Sequence, residues 1–145
     1  MKWPRRLFLT GAWAILLCGV LHTVGYIMNM NSKPENAAES QLMALMRVYV
    51  LPGIGRTTQD LMTGFSLTFT ILPITVGCLC LVVAGSSDLA LRRKVALVAA
   101  IAMILESVVS VMYWFAGPTT FLVIAALSFS VSWLMDVGRM VPAEV

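Results

Sequence analysis

The stretch Val95–Phe115 reads VALVAAIAMILESVVSVMYWF, 21 residues in which Glu106 is the only charge. An uncharged apolar run of about 18 or more residues is long enough to cross a bilayer as a helix. The rest of the chain repeats this pattern. Leu7–Ser32 and Leu61–Ser87 carry no charge, and between Val95 and Met135 only Glu106 is charged, with Gly117-Pro118 dividing the run. Four spans follow, at about 7–28, 59–85, 94–116 and 118–137. Transmembrane strands are excluded, because they would alternate apolar and polar residues over segments of about ten.

Composition points the same way. The chain has 145 residues, 59% hydrophobic and 12% charged, with a mean hydropathy of +0.89. Soluble domains carry about 25% charged residues. The expected fold class is therefore all-α, a four-helix transmembrane bundle. Residues 1–145 form a single integral-membrane domain with one short extramembrane amphipathic helix between spans 1 and 2. That helix is expected over about 33–50, opened by Ser32-Lys33-Pro34-Glu35 at capping-box spacing and stopped by Pro52-Gly53. Ala38, Leu42, Leu45, Met46 and Tyr49 share one face of it, which suits a helix lying on a membrane surface.

The net charge of +3 describes topology and gives no nucleic-acid signal. Lys2, Arg5, Arg6, Arg92, Arg93, Lys94 and Arg139 fall on one side of the spans, and Lys33, Arg47 and Arg56 on the other. The positive-inside rule then places both termini and the loop between spans 2 and 3 in the cytoplasm of a cell with an inner membrane. The first span imitates a signal peptide through Ala12-Trp13-Ala14. Its apolar run continues past that site, so it reads as an uncleaved helix. Asp136 and Arg139 are expected to form a solvated pair at the inner edge. Trp3 and Trp114 read as interface anchors.

Each span carries a stripe of small or polar residues at helical spacing. The stripes are Gly11, Ala14, Cys18, His22 and Gly25; Ser66, Thr70, Pro73, Gly77 and Ala84; Ala99, Ala102, Glu106, Ser110 and Tyr113; and Ala125, Ser128, Ser132 and Asp136. Small residues let membrane helices approach closely, so all four stripes are expected to face inward. Pro73 should kink its span. At about 1.5 Å per residue, His22 lies about 24 Å beyond Arg6 and Glu106 about 18 Å beyond Lys94. His22, Ser66, Thr70, Glu106 and Ser110 are therefore expected to meet in the outer half of the bundle, with Tyr26 and Tyr113 above them. A carboxylate at that depth is costly and usually faces a partner, a cavity or a ligand. A polar side chain from span 1 or 2 is expected beside Glu106.

These seven residues are the candidate ligand-binding set. An imidazole and a carboxyl that share a proton can act as acid and base. The bland alternative for Glu106 is a hydrogen bond that fixes helix register. Cys78 and Cys80 are two apart and point to different faces, and no Gly-rich phosphate loop, HExxH or haem CxxCH is present, so no metal site and no cofactor are expected. The bilayer, a lipophilic small molecule and a homo-oligomer or larger membrane complex are the expected partners. Three functions compete: a binder of a lipophilic ligand or an accessory subunit, a membrane enzyme acting on a lipid or quinone-like substrate, and a proton-coupled exporter working as an oligomer.

Gly19-Val20-Leu21-His22 in the first span and Gly64-Phe65-Ser66-Leu67 opening the second carry a resemblance. In them the chain resembles small four-helix bacterial inner-membrane proteins, the DoxX-like group among them. The resemblance implies the fold and topology and brings no catalytic residue with it. Small multidrug exporters also have four helices and a membrane glutamate. Theirs lies in the first helix, whereas Glu106 lies in the third span.

Overall fold

A computed structural model describes residues 3–30 and 32–138. Among them are five helices: α1 Trp3–Met30, α2 Ala37–Val48, α3 Thr58–Gly85, α4 Leu89–Tyr113 and α5 Ala116–Val137. All but α2 are long and apolar enough to cross a membrane. The chain is thus a multi-pass membrane protein built as a four-helix bundle, with α2 as the short helix between the first two spans. Lys2 and Arg139 lie outside the described residues.

Local chemistry sets the helix ends. Thr57 caps α3 by accepting from the Asp60 amide at 3.1 Å, and the Asp60 carboxylate accepts from the Thr57 amide at 3.0 Å. This reciprocal pair satisfies two amides that a helix start would otherwise leave bare. Asp88 caps α4 by accepting from the Leu91 amide at 2.9 Å. As a result Arg92, Arg93 and Lys94 lie inside the helix rather than ahead of it.

Other boundaries also differ from the sequence reading. The cap of α2 is Asn36, whose side chain accepts from the Glu39 amide at 2.9 Å. The helix therefore starts four residues later than expected and ends at Val48, before Pro52-Gly53. An antiparallel bridge between Val50 and Thr57 closes the connection to α3, helped by Gly53 at φ 79° and Gly55 at φ 66°. Those angles lie in the left-handed region that glycine tolerates. The turn between α4 and α5 falls at Trp114–Phe115, with Gly117-Pro118 inside the first turn of α5. Proline fits there because first-turn amides have no helical partner.

α1 packs along α3 on one side and α5 on the other, α4 packs along α5, and α3 meets α4 only sparingly. The core is concentrated at one end, called the base, where α1 begins, α5 ends and α3 turns into α4. Buried residues of α1 stop at Gly19 and those of α3 begin at Gly77. Three close approaches leave no room for a Cβ and so favour glycine. A Cβ at Gly77 would lie 2.8 Å from Leu16 Cβ, one at Gly19 2.9 Å from an Ile74 side-chain carbon, and one at Gly11 2.8 Å from the Phe129 ring. Phe129 in turn meets Phe8 edge-on, with ring centroids 5.1 Å apart.

The base is also pinned by polar contacts. Arg92 of α4 and Asp136 of α5 form an ion pair at 3.3 Å, with side chains only 6% and 1% exposed. Ser132 Oγ donates to the Pro4 carbonyl at 2.9 Å, and Arg5 Nε donates to the Ala84 carbonyl at 3.0 Å. Every spanning helix enters one of these contacts. Asp136 therefore corrects the expectation of a solvated pair with Arg139, because its carboxylate is buried against Arg92. Toward the opposite end, the crown, the bundle opens into two pairs. Thr23 Oγ1 donates to Thr70 Oγ1 at 3.3 Å, joining α1 to α3, and Ser110 and Thr119 share a hydrogen bond of 2.7 Å, joining α4 to α5.

Removing one member of a buried ion pair leaves the other charge without compensation. Asp136→Ala should lower stability by about 3–5 kcal/mol, measured by thermal unfolding in detergent. Arg92→Met combined with Asp136→Leu should cost less than Asp136→Ala alone.

Candidate functional site

Divergence of the two helix pairs leaves a partly open cavity of about 510 Å³ at the crown. It continues the buried face of α1. Cys18, His22, Gly25, Tyr26 and Asn29 follow that face beyond the point where α3 and α5 cover it. Ser66 and Phe69 of α3 form a second wall, and Trp114, Pro118 and Phe121 bring in the α4–α5 turn. The volume falls within the range of small-molecule sites, about 300–1,000 Å³.

One wall is an aromatic stack. Phe69 and Trp114 lie 4.3 Å apart between ring centroids, and the His22 ring lies 6.5 Å from that of Trp114 at an interplanar angle of 28°. His22 also approaches Phe69, at 5.7 Å. Ring pairs at about 4.5–7 Å attract one another. Trp114 therefore bridges α4 to α3 across the gap between the pairs. The sequence reading placed it at the membrane interface as an anchor; it is half-buried in this stack.

Within the stack, His22 Nε2 is buried and has no hydrogen-bond partner among the described residues. A buried polar atom left unpaired costs about 1–3 kcal/mol, so this nitrogen is primed to bond to whatever fills the cavity. A neutral imidazole has one donor and one acceptor nitrogen, and Nε2 can take either role according to tautomer.

The structure brings together three of the seven candidate residues, His22, Tyr26 and Ser66, all lining the cavity. Thr70 is engaged with Thr23, and Ser110 with Thr119, each within its own helix pair. Tyr113 is 76% exposed. Glu106 is exposed, makes no side-chain hydrogen bond or ion pair among the described residues, and does not line the cavity. The expected polar neighbour from the first or second span is therefore not beside it. Glu106 sits two turns beyond buried Ala99 on the same side of α4, and α3, the second-span helix, meets α4 only sparingly. Sequence reasoning missed Phe69, Trp114 and Phe121 as wall residues. Phe69 follows Ser66 by three residues, a spacing that places both on one helix face.

Among the described residues, no three His, Cys, Asp or Glu side chains form a set able to hold a metal ion. Comparison of the chain with protein-family models, curated proteins and solved structures gave no match.

With no partner to lose, the Glu106 carboxyl contributes little to the fold of the isolated chain. Glu106→Gln should change its unfolding free energy by less than about 0.5 kcal/mol, measured in the same detergent as wild type.

Proposed function

We propose that the protein binds a lipophilic small molecule in the crown cavity, with His22 as the polar contact that orients it. The observation that carries this reading is the buried, unpartnered His22 Nε2 at the wall of a cavity otherwise lined mainly by apolar and aromatic side chains. Ligand sites have this composition: apolar walls supply affinity and a few polar atoms fix orientation. Tyr26, Ser66 and Asn29 are further hydrogen-bonding groups on the walls.

The cavity lies in the half of the bundle next to α2. In the orientation we propose, the base faces the cytoplasm of a bacterium-like cell and the crown faces the far side of its inner membrane. Arg5, Arg6, Arg92, Arg93 and Lys94 gather at the base, which supports that orientation through the positive-inside rule. α2 has no buried residue and leaves Leu42 and Leu45 exposed, while Glu39, Met43 and Met46 lean toward the protein. Exposed leucines on a surface helix support a position against the lipid headgroups.

A second reading concerns Glu106. A carboxyl near mid-span with no partner among the described residues favours a neighbouring protein as the source of one, which would make this chain an accessory subunit. Glu106→Cys should then form a specific crosslink to another membrane protein in native membranes. Labelling by lipids alone would sink that reading.

Gly25 offers the direct test of the cavity. A Cβ there meets nothing within 4 Å, so a large side chain can enter the space without displacing the helices. Native mass spectrometry of the protein extracted gently from membranes should show a retained lipophilic molecule. Gly25→Phe should lose that molecule while still unfolding in a single cooperative thermal transition, at a midpoint no higher than that of the ligand-loaded wild type. Equal retention by both proteins would place the ligand elsewhere.

A further inference from the structure

The walls of the crown cavity narrow the ligand's chemistry, an inference that rests on the binding role proposed above. Among the described residues that line it there is no Lys, Arg, Asp or Glu. A phosphate or carboxylate head would need a cationic partner or several donors to leave water, because a buried charge is tolerated only when paired. The cavity has no Lys or Arg and offers only scattered neutral donors such as Tyr26, Ser66 and Asn29, so it favours an uncharged head. Aromatic side chains come from all sides of it: Tyr26 from α1, Phe69 from α3, Phe121 from α5, and Trp114 and Phe115 from the turn. Ring walls of this kind favour another flat ring through offset and edge-on contacts, each worth something beyond the area buried. The one buried wall nitrogen without a partner among the described residues, His22 Nε2, matches one oxygen at the edge of that ring.

We propose that the cavity selects a lipid whose head is an uncharged, flat, oxygen-bearing ring of the quinone class, with one ring oxygen hydrogen-bonded to His22 Nε2. The tail leaves through the open side of the cavity into the bilayer. The proposal concerns binding and involves no electron transfer. Phospholipids and fatty acids are disfavoured by the absence of a cationic wall residue. A plain long-chain alcohol supplies the oxygen but not the ring.

The test uses the full chain in detergent and the rise in thermal midpoint on ligand addition, since a molecule that binds only the folded state stabilises it by mass action. The probes are a short-tailed benzoquinone and an alkyl alcohol of the same tail length. The benzoquinone should raise the midpoint in a saturable way and the alcohol should not. His22→Phe keeps a ring and removes the nitrogen, and should weaken benzoquinone binding about twofold to tenfold, the value of one neutral hydrogen bond. His22→Gln, which restores a hydrogen-bonding group, should recover part of that loss. Gly25→Phe should abolish the response.

The two readings fail differently. Equal stabilisation by alcohol and benzoquinone, both lost in Gly25→Phe, would overturn the ring preference and leave the lipophilic site standing. A benzoquinone response that survives Gly25→Phe would overturn both, because binding would then lie outside the cavity. A His22→Phe protein that binds benzoquinone as well as wild type would overturn the assignment of Nε2 as its contact.

Discussion

The buried Arg92–Asp136 pair at the base is the constraint on which the architecture depends. Two charges placed this far from water are tolerable only against one another, which fixes the start of α4 relative to the end of α5. Ser132 lies one turn before Asp136 and takes the Pro4 carbonyl of α1, while Arg5 reaches the end of α3. These contacts bring all four spanning helices to one point. Asp136 Oδ1 and Arg92 Nε have no further partner among the described residues, so the pair is held in place by packing as much as by hydrogen bonds.

A bundle tied at one end can open at the other. In the basal half, glycines and alanines bring α1 against α3 and α5, and the Phe8–Phe129 contact fills the space between them. Beyond Gly19 larger side chains take over, and each helix keeps a polar contact only with its immediate neighbour. The cavity arises from that change in side-chain size along the helices, and it lies where α1 still presents its inward face. Trp114 and Phe69 limit how far the pairs separate, so the same rings that line the cavity also hold its walls.

This arrangement gives the two most polar membrane residues different surroundings. His22 belongs to the inward face of α1 and keeps a buried nitrogen inside the bundle. Glu106 belongs to an exposed part of α4, a helix that α3 meets only sparingly. A shared His–Glu proton therefore finds no support in the geometry of the single chain. The imidazole lines the cavity, and the carboxyl is exposed outside it.

The sequence by itself determined the number of spans and the small-residue stripes that meet at the base, because apolar length and the 3.6-residue period are local properties. It also contained the basal pair in latent form: Asp136 continues the Ala125, Ser128, Ser132 stripe, and Arg92 precedes Ala96 and Ala99 at helical spacing. Reading Asp136 against nearby Arg139 hid that pairing, since sequence distance draws attention to the nearer basic residue. Only the tertiary structure decided which stripes remain covered along their full length. His22, Tyr26 and Ser66 could be placed on inward faces from spacing, but their meeting with Phe69, Trp114 and Phe121 depends on how far two helix pairs diverge. That angle comes from packing between helices distant in sequence, and periodicity within one helix carries no information about it.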